Sequence, residues 1–379
     1  ITFKGTERRS SMQILGHLES VGGDLNAFTN KEETVYHAAV LKENIDRAVD
    51  LLTDIVFHST YPQAEIDKEV EVIVDEIESY NDSPAELVYD LFENAVFGGH
   101  PLGHNILGTA EKLRRYTTAD ALRFTRRYYR PENSVFFAYG DVDFQKLVRL
   151  LERANAADAA AESVAAVSLP PQQSAISDNS CCGGGKDTAA ALLPPYVAQH
   201  IEHHMDTHLA HVMLGTRAYD VHDERRIALY LLNNILGGPG MNAKLNLALR
   251  EHNGLVYTVE STMVAYGDTG TWSIYFGCDE HDIKRCLRLV RKELDRMMEK
   301  PLSDSQLKAA KKQIKGQIGV ACDNRENFAL DFGKSFLHYG WEKNVDCLYE
   351  QVEAITSQQI QDVARELFDK NRLITLIFK

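Results

Sequence analysis

The segment from Glu65 to Glu78 concentrates carboxylates on a helical pattern. Ile66, Val70, Ile73, Ile77 and Tyr80 step by four and three, which predicts one buried stripe on a helix covering about 62–82. At about 100° per residue, Asp67, Lys68, Glu71, Asp75 and Glu78 fall on the far side. Glu69 and Glu76 do not: seven residues apart, they stand one above the other along one edge of the stripe. A carboxylate at the rim of a buried face is costly unless it is paired, hydrogen-bonded or bound to a metal. The geometry therefore allows two readings, boundary glutamates paired with Lys or Arg, or a carboxylate metal site. In the second half of the chain the corresponding positions are Ala310 and Gln317, so a site of this kind could lie only in the first half.

A second set of side chains invites a metal reading. His200, His203, His204, His208 and His211 crowd one stretch. His204 and His208 are four apart, but no glutamate takes the zincin position, and the flanking pattern predicts a strand. Such a run can pick up nickel or zinc adventitiously; it does not predict a physiological site. The loop Gly237-Gly238-Pro239-Gly240 lacks a following Gly-Lys-Ser/Thr and is not a phosphate loop. His100 and His104 are expected to be structural.

These residues need elements to hold them. In the first half a helix is predicted at about 8–20, strands at about 24–29 and 33–41, helices at about 43–57 and 62–82, and another near 84–96, where Ser83 caps and Pro84 sits in the first turn. The second half reads strand, strand, helix (222–236), glycine loop, helix (241–252), two strands, then helices to 367. The halves resemble each other. Residues 118–140 and 356–379 both give a helix, a turn and a strand, Val135–Tyr139 and Leu373–Ile377, at an offset of 238. The same offset places Ile45 on Ile283. An offset of 241 places Ile66, Ile73 and Ile77 on Leu307, Ile314 and Ile318. Residues 155–196 change character, with an Ala-rich start, Pro170-Pro171, Cys181-Cys182-Gly183-Gly184-Gly185 and Pro194-Pro195. That composition predicts a linker. The expected plan is α+β: an N-terminal domain over 1–154, the linker over 155–196 and a homologous C-terminal domain over 197–379. Each domain should be a mostly antiparallel sheet packed with helices, the two arranged as a clamshell.

Composition narrows the partners. Of 379 residues, 41 are basic and 55 acidic, a net charge of −14. Such a chain repels nucleic acid and anionic lipid and suits basic peptides better. No apolar run reaches the length of a membrane span. Six cysteines without a CxxC pair predict neither a disulfide scaffold nor a cysteine zinc site. Ile1-Thr2-Phe3-Lys4 is not a signal peptide, and the compartment stays open between the cytoplasm and the periplasm of a bacterium.

Several motifs, in order, carry a resemblance. Phe3-Lys4-Gly5-Thr6, Gly22-Gly23 with Leu25-Asn26-Ala27-Phe28-Thr29, Glu33-Thr34-Val35-Tyr36, the helix from Glu69 to Glu76, His100-Pro101-Leu102-Gly103, Ile106-Leu107-Gly108 and Tyr129-Arg130-Pro131-Glu132-Asn133 lie in the first half. Gly237–Met241 and Arg250-Glu251, Gly254-Leu255 and Tyr257 lie in the second. Together they resemble the zinc peptidase family of insulinase, pitrilysin and mitochondrial processing peptidase, and most of all its short bacterial and processing-peptidase subgroup. The resemblance spans nearly all of the chain except the linker.

What the resemblance implies can be carried over residue by residue. An HxxEH helix in the family supplies two zinc histidines and a general-base glutamate. It precedes the Phe-Lys-Gly-Thr segment, so the second histidine is expected immediately before Ile1, and the chain is expected to be truncated there. The third zinc ligand falls on Glu76 and its supporting glutamate on Glu69. Arg250 and Tyr257 match a pair that holds the substrate and the carbonyl under attack; on pattern alone they read equally as a surface arginine and a core tyrosine. Asn26, Ala27, Phe28 and Thr29 match the edge strand on which an extended peptide is laid. The implied function is a zinc-dependent endopeptidase enclosing peptides or unfolded segments between two domains, this chain lacking the HxxEH part. The alternative is a non-catalytic peptide-binding or structural subunit of a peptidase heterodimer. A homodimer and a heterodimer with a related subunit are both compatible with it.

Overall fold

The computed structural model describes residues 1–154, 193–205, 207–340 and 344–379. The predicted linker at 155–196 therefore lies almost entirely outside the described residues. Contacts group the chain into two units. Unit 1 comprises Ile1–Ile77, Ile106–Ala189 and Ala329–Glu342; unit 2 comprises Glu78–Asn105, Ala190–Phe328 and Lys343–Lys379.

The elements follow the α+β reading closely. Helix α1 (Ser11–Glu19), strands β1 (Asp24–Thr29) and β2 (Thr34–Ala39), and helices α2 (Ile45–Phe57), α3 (Gln63–Asn81), α4 (Pro84–Val96), α5 (Ala110–Leu113), α6 (Thr118–Tyr128) and α7 (144–154) make the first half. Then come β3 (His200–His203), β4 (Ala210–Ala218), α8 (Arg225–Gly237), a π-helical turn (Asn246–Glu251), β5 (Val256–Ala265) and β6 (Gly270–Cys278). Helices α9 (Ile283–Glu299), α10 (Asp304–Cys322), α11 (Arg325–Tyr339), α12 (Val345–Ala354) and α13 (Ser357–Leu367) lead to β7 (Ile374–Phe378).

Unit 2 is built on a five-stranded sheet in the order β3-β7-β4-β6-β5. Only β3 and β7 run parallel; the other pairs are antiparallel. Every residue of β6 is buried, because both faces of the sheet are covered. Side-chain alternation sorts them. Val212, Leu214, Ile274 and Phe276 join the core that includes α8, α9 and α13. Met213, Tyr275, Ile374, Leu376 and Phe378 pack with Val88, Phe92 and Val96 of α4. At about 25 cal/mol per Å² of apolar area, such burial is the main stabilising term.

Unit 1 carries the antiparallel hairpin β1–β2, paired from Asp24 with Ala39 to Thr29 with Thr34. Ile14 and Leu18 of α1 pack on Ala48, Leu51 and Ile55 of α2. Tyr61, Ile66, Val70 and Val74 form a separate small core with Leu113 and Leu122.

The internal repeat is visible in the element bounds. Helices α2 and α9 open at Ile45 and Ile283, each after a 3-10 turn, Lys42–Asn44 and Glu280–Asp282. Helices α3 and α10 both have 19 residues, and their starts, Gln63 and Asp304, are 241 apart. The later helices and turns differ from the expected offset by one: Pro131–Asn133 corresponds to Lys370–Arg372. A larger departure concerns Val135–Tyr139, which joins no ladder among the described residues. A strand exists through its partner's hydrogen bonds, and among the described residues none pairs with this one. Phe137 instead stacks on Phe332, with ring centroids 4.6 Å apart.

Candidate functional site

Helix α3 places Glu69 and Glu76 as the spacing requires, but its buried line is shifted. Ile66, Val70 and Val74 are buried, while Ile73 and Ile77 are half-buried and Tyr80 is exposed. The contacts of Val74 with the α5–α6 side of the small core draw the stripe round the helix. Glu69 stays at the rim, 26% exposed, and Glu76 is exposed.

The rim position of Glu69 is paired: Lys4 Nζ stands 2.9 Å from Glu69 Oε2. The hydrogen bond that Lys4 donates to Glu69, and the carboxylate's charge, raise the Lys4 pKa. Lys4 belongs to the Phe3–Thr6 segment, whose Thr6 hydroxyl donates to buried Asp54 at 2.8 Å. Burial pushes the Asp54 carboxyl up, but Arg9, Thr6 and Arg8 outweigh it and hold it below its ordinary value. That segment is thus anchored to α2 on one side and to α3 on the other. Ile1 enters beside the same carboxylate; burial lowers the pKa of its amine and Glu69 opposes that.

Other motif residues converge in unit 1. Phe3 packs edge-on to Tyr36, with ring centroids 6.4 Å apart, and Tyr36 does the same with Tyr129 at 6.2 Å. The two tyrosine hydroxyls are 3.3 Å apart. Burial first, then Tyr129, pushes the Tyr36 phenol up. Motifs far apart in sequence are therefore parts of one packed region.

Asn26, Ala27, Phe28 and Thr29 lie on β1, whose only pairing among the described residues is with β2. Its other edge has no partner strand among the described residues, and Ala27 N donates to Asn26 Oδ1 at 2.8 Å. Phe28 is 38% exposed. Glu33 sits at the turn of this hairpin with its side chain 2% exposed, accepting from Asn30 and paired with Lys334 and His338 at 3.1 Å each. Sequence reasoning did not single out Lys4 or Glu33 as partners, though both stand inside the motifs.

In unit 2, Arg250 occupies the last turn of the π-helical segment and is exposed. Its carbonyl accepts from Gly254 N at 2.8 Å, and Gly254 has φ +61°, a turn that favours glycine. The chain then enters β5, where Tyr257 lies in a register shift between Val256 and Val259. Tyr257 is 84% exposed, which excludes the core-tyrosine reading. π-turns and bulges re-aim side chains and cluster at functional sites. Gly237 and Gly238 have a packing reason: a Cβ on Gly237 would come 2.6 Å from Ser261.

Glu76 is the type of oxygen ligand that zinc accepts, but catalytic zinc needs three protein ligands. Among the described residues, the one group of three metal-ligating side chains within 4.8 Å of one another is Asp279, His281 and Asp282. The residues present therefore do not make a complete zinc site around Glu76. His200–His203 form a strand as expected. His100 is structural: it is 5% exposed, and its Nδ1 accepts from Leu102 N at 3.3 Å.

Family models match most of the chain. Residues 1–110 match the insulinase (peptidase family M16) model, and residues 115–314 match the peptidase M16 inactive domain. The chain belongs to the M16 insulinase family. A Streptomyces coelicolor relative named as an uncharacterized zinc protease is 32% identical over 377 residues, covering 100% of this chain and 78% of that protein. A Bacillus subtilis relative of the same description is 30% identical, covering 99% and 85%. A Helicobacter pylori protease structure superposes with a TM-score of 0.83 at 19% identity, covering 100% of this chain and 87% of that one. The M16 inactive domain from Pseudomonas fluorescens gives 0.79 at 17%, covering 100% and 86%. These two likenesses establish the M16 fold. No described helix is long and apolar enough to cross a membrane.

Proposed function

We propose that these residues carry the substrate-holding walls and the third metal ligand of a zinc-dependent endopeptidase. The observation that supports this most is the Lys4–Glu69 ion pair. It seats the Phe-Lys-Gly-Thr segment, which in the family follows the HxxEH helix, against the helix that bears Glu76. Residues preceding Ile1 would then be delivered beside α3. The 379 residues contain no HxxEH, so the two histidines and the base would come from outside them.

In this reading Glu76 is the third ligand and Glu69 keeps the ligand helix in register through Lys4. Bound zinc would supply a water of lowered pKa and polarise the peptide carbonyl. The chain's own residues bind and orient the peptide: the Asn26–Thr29 edge accepts an extended strand, and Arg250 and Tyr257 donate to the carbonyl oxygen as charge develops there.

Hydrolysis of a quenched fluorogenic peptide tests this, comparing the 379-residue chain with the product of its complete reading frame. The expected result is chelator-sensitive turnover by the complete product and none by the 379 residues. Peptide binding without turnover by the complete product would instead support the non-catalytic subunit.

A further inference from the structure

Unit 1 holds a concavity of about 520 Å³ lined by Arg8, Arg9, Gln13, Gly16, His17 and Arg47. None of these side chains belongs to the proposed peptidase machinery. Gln13, Gly16 and His17 project from α1, Arg47 from α2, and Arg8 and Arg9 from the segment entering α1. Three guanidinium groups and an imidazole share this wall in a chain of net charge −14.

Two carboxylates stand behind the arginines. Arg8 meets Asp54 at 3.2 Å and Asp50 at 3.1 Å, and Arg9 pairs with the same two. Among the described residues Arg47 has no carboxylate partner; its contact is Ser20 Oγ at 3.4 Å. Three cations thus face two anions. Gln13 Oε1 already accepts from Ser10 N, so toward the concavity it can offer only its amide N–H groups. His17 Nε2 is buried without a hydrogen-bond partner. Burial lowers the His17 pKa first, then Arg9 and Arg47 lower it further, against the weaker opposing pull of Asp50 and Asp54. The field at the ring is therefore net positive with both aspartates counted.

We propose that this concavity binds a phosphate group, as the free ion or as a small phosphomonoester. The wall brings together three guanidinium forks, an imidazole and an amide. That arrangement matches the several acceptor oxygens of a tetrahedral oxyanion better than a planar carboxylate. The anion neutralises the excess guanidinium charge of this wall. By linkage it also favours the imidazolium, so the His17 ring titrates at higher pH when the anion is bound.

Calorimetry with inorganic phosphate at low salt tests the proposal, together with the NMR titration of the His17 ring. One phosphate is expected to bind per chain, and the ring's pKa to rise. Arg47→Gln should weaken binding about tenfold, the loss of a hydrogen bond to a charged group. A Cβ on Gly16 meets nothing within 4 Å, so Gly16→Glu places a carboxylate in the concavity as a built-in competitor. That variant should abolish binding without lowering Tm, since Glu is a better helix former than Gly. A small phosphomonoester that binds as tightly as inorganic phosphate assigns an ester-borne group; one that fails assigns the free ion. No saturable binding, or equal affinity in the wild type and both variants, overturns the proposal.

Discussion

Glu33 and Tyr257 are opposites in burial, and different measurements test them. Glu33 is nearly inaccessible, and its carboxylate gathers Asn30, Lys334 and His338. Burial raises its pKa, but those three partners overcome that and bring it to about 2. Because the folded value lies below the unfolded value of 4.5, the stabilisation is fully present above about pH 4.5 and is lost as pH falls toward 2. Glu33→Gln should remove that dependence and cost about 2 kcal/mol, with acid and urea titrations as the check. A wild-type-like acid transition in the variant would refute this. Tyr257 is mostly solvent-exposed, so Tyr257→Phe should leave Tm unchanged. In the complete enzyme it should lower kcat by about 100-fold with little change in KM, the scale of losing one oxyanion donor. Unchanged kcat would remove Tyr257 from the clamp.

At the scale of elements, packing depends on small residues where layers meet. Gly215 of β4 lies between Trp272 and α4: a Cβ there would overlap the Trp272 carbonyl oxygen and come 2.7 Å from Phe92 Cζ. Gly215→Ala should therefore destabilise unit 2 by about 2 kcal/mol through overpacking, read as a lower urea midpoint at unchanged slope. Most elements were legible because their signals are local. Pro84 marks the start of α4, although Ser83 makes no side-chain capping hydrogen bond, and alternation marks β2, found at Thr34–Ala39 within the expected 33–41. The strand expected at 135–139 failed because pairing is a property of two segments, and no single segment encodes its partner. The π-helical turn before Gly254 shows in the sequence only as ordinary helical periodicity, since a one-residue change of period leaves the apolar pattern nearly intact. The rim position of Glu69 was legible from helical angle, whereas its pairing with Lys4 was not: 65 residues separate them, and only the fold closes that distance.

For the whole molecule, the repeat explains why the chemistry is one-sided. Helices α3 and α10 share length and register, yet positions 69 and 76 of the first correspond to Ala310 and Gln317 of the second. The first half carries two carboxylates at these helix positions, and in the second half Arg250 and Tyr257 are exposed at and just after a π-helical turn. Family membership fits this division of labour, and the central claim is that Glu76 is a metal ligand. Zinc content and peptide turnover of the complete reading-frame product, compared with its Glu76→Gln variant, test that most directly. The expected result is one zinc per chain in the wild type, with zinc lost and turnover reduced at least about 100-fold in the variant. Full zinc occupancy with wild-type turnover in Glu76→Gln would contradict it.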